Sequence, residues 1–450
     1  MTSLRVHPAT QPLQGRVGIP SDKSISHRAL IFSALAQGRS RLAGFSYGED
    51  NVSTLAALRS LGVSIDDDGR GTIVVGGVGL DGFREPAGDL DCGNSGTTMR
   101  LMCGVLAAQP FRSRMTGDAS LSGRPMKRVA EPLRLRGAVI DGRPHPKKAG
   151  DITAPLEIGP LPTGRKLSGL EYALPIASAQ VKSALLLSGL FATGPTIVSE
   201  PLLSRDHTER MLQAMGAEIA TLGTTVRLDP PASANALQPF DVQLPGDLSA
   251  AAFALVAAAL VEGSCVTTLQ TGTNPSRTGI IDILRAHGAG LSTLPQGAVL
   301  NEPIGELSVE HRPLRATLVA GEVATRAIDE IPIACALAAR ARGATEIADV
   351  AELRVKESDR LAQMAQVLTA FGVECEERPD GLVIQGRPEA PLKAARVGSH
   401  GDHRIAMTAA VLALVADGPT LIEDTACIAT SFPNFAGTLR ALGARVEELS

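Results

Sequence analysis

A helix end, a glycine and the start of an apolar strand recur six times along this chain, and no other feature constrains its fold as much. The copies are Ser60-Leu61-Gly62-Val63, Leu135-Arg136-Gly137-Ala138, Ala214-Met215-Gly216-Ala217, Ala286-His287-Gly288-Ala289, Ala370-Phe371-Gly372-Val373 and Ala441-Leu442-Gly443-Ala444. Their glycines lie 75, 79, 72, 84 and 71 residues apart. Each copy follows helical apolar spacing, as in Val52, Leu55 and Leu58, and precedes a strand such as Val63-Ser64-Ile65. A glycine so placed is predicted at C′, where a left-handed backbone costs it little. A second helix ends within the period before another glycine, as in Ala29-Leu30-Ile31-Phe32 ahead of Gly38, Ala184-Leu185-Leu186-Leu187 ahead of Gly189 and Ala334-Cys335-Ala336-Leu337 ahead of Gly343. Two helices with strands around them give an α/β unit of about 75 residues. That exceeds the roughly 20–50 residues of a solenoid repeat, so the units are expected to pack as globular domains.

The two halves of the chain also match. Ile19-Pro20-Ser21-Asp22-Lys23-Ser24 resembles Leu244-Pro245-Gly246-Asp247-Leu248-Ser249 at an offset of 225, half of 450 residues. Strands ending near Pro20 and Pro245 run straight into helix starts. The expected division is one domain of residues 1–20 plus 246–450, holding three units, and an inserted domain of residues 21–245 holding the other three.

Composition narrows the function. Lys plus Arg number 43 against 47 Asp plus Glu, a net charge of −4, and only 12 residues are aromatic; bulk positive charge and base-stacking surfaces for nucleic acid are therefore not expected. The longest apolar run, Ala250 to Val261, has 12 residues where a membrane-spanning helix needs about 20. The N-terminal residues show no apolar core of a secretory signal, which makes a cytoplasmic location the expectation. Cys92, Cys103, Cys265, Cys335, Cys375 and Cys427 contain no Cys-x-x-Cys pair and are expected to be reduced.

The chemically loaded residues sit where the second class of helices begins. These starts are Ser21-Asp22-Lys23-Ser24-Ile25-Ser26-His27-Arg28, Cys92-Gly93-Asn94-Ser95-Gly96-Thr97-Thr98-Met99-Arg100, Ser178-Ala179-Gln180-Val181-Lys182, Asp247-Leu248-Ser249, Asp329-Glu330 and Gly401-Asp402-His403-Arg404. Helix N-termini offer unpaired amides and about half a positive charge, so they bind anions even in an acidic protein. Lys23 and Arg28 either flank one anion or stay solvated beside a capping serine. Asn94 to Thr98 is either a close backbone approach to a ligand, opened by Gly96, or a plain turn. Arg124-Pro125 alone reads as a solvated loop arginine. Lys356 and Arg360, at i and i+4, are expected on one helical face, clamping an anion or making surface ion pairs. His400 and His403 lack the spacing of a metal site. Gly77-Val-Gly79-Leu-Asp-Gly82 spells a dinucleotide fingerprint, but Phe83-Arg84-Glu85-Pro86 follows where a helix must open, so a strand-turn-strand is expected. Neither a Gly-x-x-x-x-Gly-Lys-Ser/Thr loop nor a Gly-x-Ser-x-Gly elbow is present, which argues against nucleotide hydrolysis and serine-esterase chemistry.

Taken together, Lys23-Ser-x-Ser-x-Arg28, Gly93-Asn94-Ser-Gly96-Thr97, Arg124-Pro125, Ser178-Ala-Gln180, Lys356-Glu357-Ser-Asp-Arg360 and Asp402-His403-Arg404 resemble the 5-enolpyruvylshikimate-3-phosphate synthase family of enolpyruvyl transferases, from about residue 14 to the C-terminus. The resemblance implies two similar domains of three βαβαββ units each, a six-unit inside-out α/β barrel joined by two crossings and closing on ligand. It implies transfer of the enolpyruvyl group of phosphoenolpyruvate to the 5-hydroxyl of shikimate 3-phosphate in aromatic amino-acid biosynthesis, with no metal or organic cofactor, in a monomer. Carried over residue by residue, Lys23, Ser24, Arg28, Ser178, Ala179, Gln180, Arg205, Asp329 and Lys356 resemble the shikimate 3-phosphate contacts. Lys23, Asn94, Gly96, Arg124, Gln180, Arg360 and Arg404 resemble the phosphoenolpyruvate contacts, and Asp329, Glu357 and Lys23 the catalytic groups.

Departures from the family pattern are also visible. Thr430 stands where some members carry a lysine before Ser/Thr-Phe-Pro, so one cation for phosphoenolpyruvate is absent or replaced. Ala179, Leu101 and Arg205-Asp206-His207-Thr208-Glu209 resemble a bacterial branch often associated with tolerance of glyphosate, an inhibitor of the family, whereas Gly96 leaves the pocket open. The sister family that uses UDP-N-acetylglucosamine usually has a reactive cysteine five residues before the Arg-Pro; here that residue is Ala119. An inactive anion-binding scaffold would gain nothing from Asp329 and Glu357.

Overall fold

The computed structural model describes residues 2–162 and 164–449, and these divide into two compact units. One consists of Met1–Asp22, Pro245–Gly297 and Pro303–Ser450, the other of Lys23–Leu244 and Ala298–Glu302. The chain passes from the first to the second after Asp22 and back before Pro245, against crossings expected after residues 20 and 245. The assignment of Ala298–Glu302 to the second unit has no counterpart in the sequence pattern.

Each unit holds three separate four-stranded sheets. Among the described residues no ladder joins one sheet to the next, so the sheets form no closed, hydrogen-bonded barrel. In the Lys23–Leu244 unit one sheet runs Leu90–Asp91, Ser113–Thr116, Ile152–Gly159, Val139–Pro144, its first pair parallel and the others antiparallel. The sheet Leu170–Ala173, Thr196–Ser199, Thr225–Leu228, Ile219–Leu222 repeats that order. In the third, Gln37–Ala43, Thr72–Val78 and Ser64–Asp67 take their parallel partner, Asp241–Gln243, from the far end of the segment. The other unit borrows twice from the N-terminus. Gln14–Gly18 is the parallel partner of Cys265–Gly272, and Ser3–Val6 lies between Thr420–Glu423 and Val446–Leu449. The strand Thr72–Val78 is followed by no helix until Gly96, which disposes of the dinucleotide spelling.

The helices fall into two physical kinds. Lys23–Leu35, Gly96–Leu106 and Ala179–Gly189 in one unit, and Leu248–Leu260, Ile331–Arg340 and His403–Ala413 in the other, are buried over almost their whole length. A helix apolar all round must lie inside its domain, and small residues permit the close approach: a Cβ on Gly104 would lie 2.2 Å from the Ala184 carbonyl oxygen. The other kind, Glu49–Ser60, Lys127–Leu135, His207–Ala214, Gly279–Ala286, Arg360–Ala370 and Phe435–Ala441, buries one side only. Each unit has its own apolar core around its three inner helices.

The six recurring glycines end the outer helices as expected. Gly62, Gly137, Gly216, Gly288, Gly372 and Gly443 all have positive φ. Each is flanked by the paired bonds of a Schellman turn, such as Gly137 N–H to Arg134 O at 2.9 Å and Ala138 N–H to Leu133 O at 3.1 Å, which satisfy carbonyls the helix leaves open. At Gly137, where φ is 104°, a Cβ would meet nothing within 4 Å. Gly137→Ala should therefore cost about 1–2 kcal/mol from backbone strain alone, seen as a lower denaturant midpoint at unchanged slope.

Candidate active site

In the Lys23–Leu244 unit the expected site residues gather at the first turns of the three inner helices. Lys23 is the first residue of its helix; its ammonium lies 3.0 Å from Asp50 Oδ2, and its carbonyl accepts from Asn51 Nδ2. Ser24 supplies a carbonyl to Arg28 Nη1 at 3.0 Å. Arg28 is almost wholly buried, and it also donates to Thr208 Oγ1 at 2.8 Å and Ser183 Oγ at 2.7 Å. These three acceptors are neutral oxygens that hold the guanidinium in place. His27 is buried against Thr54, with Nδ1 2.7 Å from Oγ1. Burial, with Lys23 and Arg28 adding to it, pulls its pKa well below the ordinary value, so the local positive charge comes from Lys and Arg.

Ser95 caps the helix Gly96–Leu106 by accepting from Thr98 N–H. Asn94 links Asp118, to which its amide donates at 2.7 Å, with Arg124 Nη2, which donates to Asn94 Oδ1 at 2.7 Å. Arg124 is thus held in the site and is not a solvated loop residue; its half-buried side chain also reaches Ser120. Ser178 caps the third helix, and Ala179 and Gln180 form its first turn. Gln180 donates to Thr97 Oγ1 at 2.9 Å and accepts from Arg100 Nη1 at 2.5 Å. Arg205 is half-buried in the segment between the strand Thr196–Ser199 and the helix His207–Ala214.

Arg100 lies in a helix start singled out from the sequence, but sequence reasoning gave it no role. A Cβ placed on Gly96 would lie 2.9 Å from Arg100 Nη1 and 3.2 Å from Arg124 Nη1, so two guanidinium groups converge over one bare stretch of backbone. The four-residue spacing from Gly96 to Arg100, one helical turn, was the available signal. Gly96→Ala should push both arginines aside. Binding of inorganic phosphate should weaken several-fold in the variant, as calorimetric titration beside the parent would read.

The other unit carries a different electrostatic balance. Arg360, almost wholly buried, donates through Nε to Asp402 Oδ2 at 2.8 Å; Nη2 lies 2.7 Å from Glu357 Oε2 and Nη1 3.5 Å from Asp329 Oδ1. Burial acts to lower its pKa, and the carboxylates of Asp402, Glu357 and Asp329 more than offset that. Lys356 Nζ stands 3.9 Å from Asp329 Oδ1. Arg404 donates to the Asp329 carbonyl at 2.7 Å and lies 3.9 Å from Glu330 Oε1. Sequence reasoning also missed Arg277, a buried arginine bonded to Asp22 and to Ser249 Oγ, with Asp247 and Glu330 close by.

One geometric expectation is corrected. Lys356 ends the 3-10 turn Ala351–Val355, while the helix starts at Arg360 under the cap of Asp359, whose carboxylate accepts from Ala362 N–H. Lys356 and Arg360 therefore share no helical face. The chain's bend brings both to Asp329.

Asp402 caps the helix His403–Ala413 through Arg404 N–H while pairing with Arg360. Burial acts to raise its pKa, Arg360 outweighs it, and the net shift is downward. A depressed folded pKa contributes stability that is fully present above the unfolded value near 3.9 and lost as pH falls through the folded one. Asp402→Asn, which leaves Arg360 less well neutralised, should cost about 3–5 kcal/mol at neutral pH. In acid unfolding the gap from the parent should narrow as pH drops below about 4.

Six repeated units with buried inner helices, and cations at or near the starts of those beginning at Lys23, Gly96 and His403, fit the enolpyruvyl-transferase class of protein. The family model for EPSP synthase (3-phosphoshikimate 1-carboxyvinyltransferase) matches residues 8–439. A 3-phosphoshikimate 1-carboxyvinyltransferase of Geobacter sp. (strain M21) is 48% identical over 439 residues, 98% of this chain and 99% of that one. One from Geobacter sulfurreducens is 47% identical over 447 residues, 99% of this chain and 100% of its own. The solved EPSP synthase of Acinetobacter baumannii superposes with a TM-score of 0.88 at 41% identity, over 100% of both chains. The chain belongs to the EPSP synthase family.

Proposed function

We propose that this protein transfers the enolpyruvyl group of phosphoenolpyruvate to the 5-hydroxyl of shikimate 3-phosphate, releasing inorganic phosphate. The observation that carries the reading is the contrast between the two sets of charges. Lys23 pairs with Asp50, while Arg28, Arg100 and Arg124 donate to the neutral oxygens of Ser183, Thr208, Gln180, Asn94 and Ser120, an arrangement suited to holding multiply charged anions. Lys356, Arg360, Arg404 and Arg277 are instead interleaved with Asp329, Glu330, Glu357, Asp402, Asp22 and Asp247. An anion trap would be weakened by so many carboxylates, whereas proton transfer needs them.

The binding assignments follow the family resemblance. Lys23, Ser24, Arg28, Ser178, Ala179, Gln180, Arg205, Asp329 and Lys356 serve shikimate 3-phosphate. Lys23, Asn94, Gly96, Arg124, Gln180, Arg360 and Arg404 serve phosphoenolpyruvate. Two multiply charged anions repel each other unless cations stand around them. A unit pair at 4 Å is worth about 4 kcal/mol at an effective dielectric of 20 but about 1 kcal/mol in bulk water, so these cations act most strongly once water is excluded.

In the addition step the 5-hydroxyl oxygen bonds to C2 of phosphoenolpyruvate, the hydroxyl proton passes to Asp329, and C3 gains a proton from Glu357. In the elimination step C3 gives a proton back and the C2–O bond to phosphate breaks, the electron pair leaving with phosphate. One carboxylate for each proton is an economical division of acid–base work, and Lys23 and Lys356 stabilise the departing charge. These roles require only side chains. No helix among the described residues is long and apolar enough to cross a membrane, and we take the enzyme to act in the cytoplasm as a monomer.

Phosphate release with shikimate 3-phosphate, run beside UDP-N-acetylglucosamine as acceptor, tests the reading; release with the second acceptor alone would overturn it. Asp329→Asn should bind shikimate 3-phosphate within about tenfold of the parent while turnover nearly vanishes in rapid-quench measurements. Retained turnover would move the base elsewhere.

A further inference from the structure

Lys182 follows Gln180 by two residues, yet its side chain turns into the protein and is completely buried. Its ammonium lies 2.5 Å from Glu200 Oε1 and 2.7 Å from Glu209 Oε1. Glu200 follows the strand Thr196–Ser199 and accepts from the hydroxyl and the backbone N–H of Ser204, the residue before Arg205. Glu209 stands on the helix His207–Ala214 beside Thr208. Thr208 and Ser183 are 2.7 Å apart, hydroxyl to hydroxyl, and both accept from Arg28. One ammonium therefore fastens together the helix that carries Gln180, the loop that carries Arg205, and the helix whose hydroxyl orients Arg28.

We propose that Lys182 is a positioning residue for the shikimate 3-phosphate subsite, acting through Arg205 and Arg28 without touching substrate; the inference rests on the functional reading above. A buried ion pair returns little net stability, because desolvating the charges costs about as much as their attraction supplies, and a well-packed apolar side chain often stabilises as well. What the ammonium provides is direction, since each carboxylate must come to it. Burial pushes the Glu209 carboxyl up against the opposing pull of Lys182. Burial also acts against the Lys182 charge, but Glu209 and Glu200 keep its pKa above the ordinary value.

Lys182→Met tests the proposal. Melting temperature, calorimetric binding of shikimate 3-phosphate and steady-state kinetics with both substrates are measured beside the parent. The expected result is a tenfold or greater rise in both the dissociation constant and the Michaelis constant for shikimate 3-phosphate, with the Michaelis constant for phosphoenolpyruvate and kcat within threefold. A merely structural lysine would lower the melting temperature and the active fraction while leaving both Michaelis constants in place. That outcome, or an equal rise in the two, overturns the proposal. If Lys182→Met does not fold, Glu209→Gln decides. It keeps the Lys182–Glu200 pair and loosens only the helix His207–Ala214, so a three- to tenfold rise for shikimate 3-phosphate supports the proposal and an unchanged constant overturns it. Failure of the parent to bind shikimate 3-phosphate would instead overturn the functional reading, and this positioning role with it.

Discussion

Burial of six helices on every side is the constraint on which the rest of the structure depends. Such a helix satisfies its interior amides internally but leaves the N–H groups of its first turn without partners. Ser95, Ser178, Asp247 and Asp402 each answer part of that demand by accepting a backbone N–H with the capping side chain. The remaining positive end attracts anions, so the packing that builds each core also produces the field a phosphate-binding enzyme requires. The glycines and alanines that let these helices approach one another belong to the same solution, as at Gly104 against Ala184.

The two units use that field differently. Around Gly96 and Gln180 the partners of the arginines are mostly neutral: Asn94, Ser120, Gln180, Ser183 and Thr208. Neutral oxygens fix the orientation of these guanidinium groups there. Around Arg360 and Arg277 every guanidinium has carboxylates against it, and the charge is largely spent within the protein. The first arrangement suits binding of anions and the second suits moving protons, two requirements that a single uniform cluster would set against each other.

Much of the fold was legible in the sequence because its signals are local. Each C′ glycine is recognised from its immediate neighbours, and the paired Schellman bonds confirm all six. The helix starts at Lys23, Gly96, Ala179, Leu248, Ile331 and His403 lie in or directly after the segments read as helix starts, and Ser95, Ser178, Asp247 and Asp402 cap four of them. Local reading misled at Lys356 and Arg360, where four-residue spacing suggested one face but Asp359 starts the helix between them. It also undervalued Arg124, which resembles a solvated loop residue until Asn94 and Ser120 are seen to hold it.

The sequence by itself determined the number of units, their helix ends and the cations at the starts beginning with Lys23 and His403, because those features arise from residues within a few positions of each other. Only the tertiary structure decided the partners. Arg100 meets Gln180 across 80 residues, Arg360 meets Asp402 across 42, and Arg277 meets Asp22 across 255. Such pairings leave no periodic trace in the chain, since a polar contact depends on distance in space, and it is the packing of buried helices that brings these groups within reach.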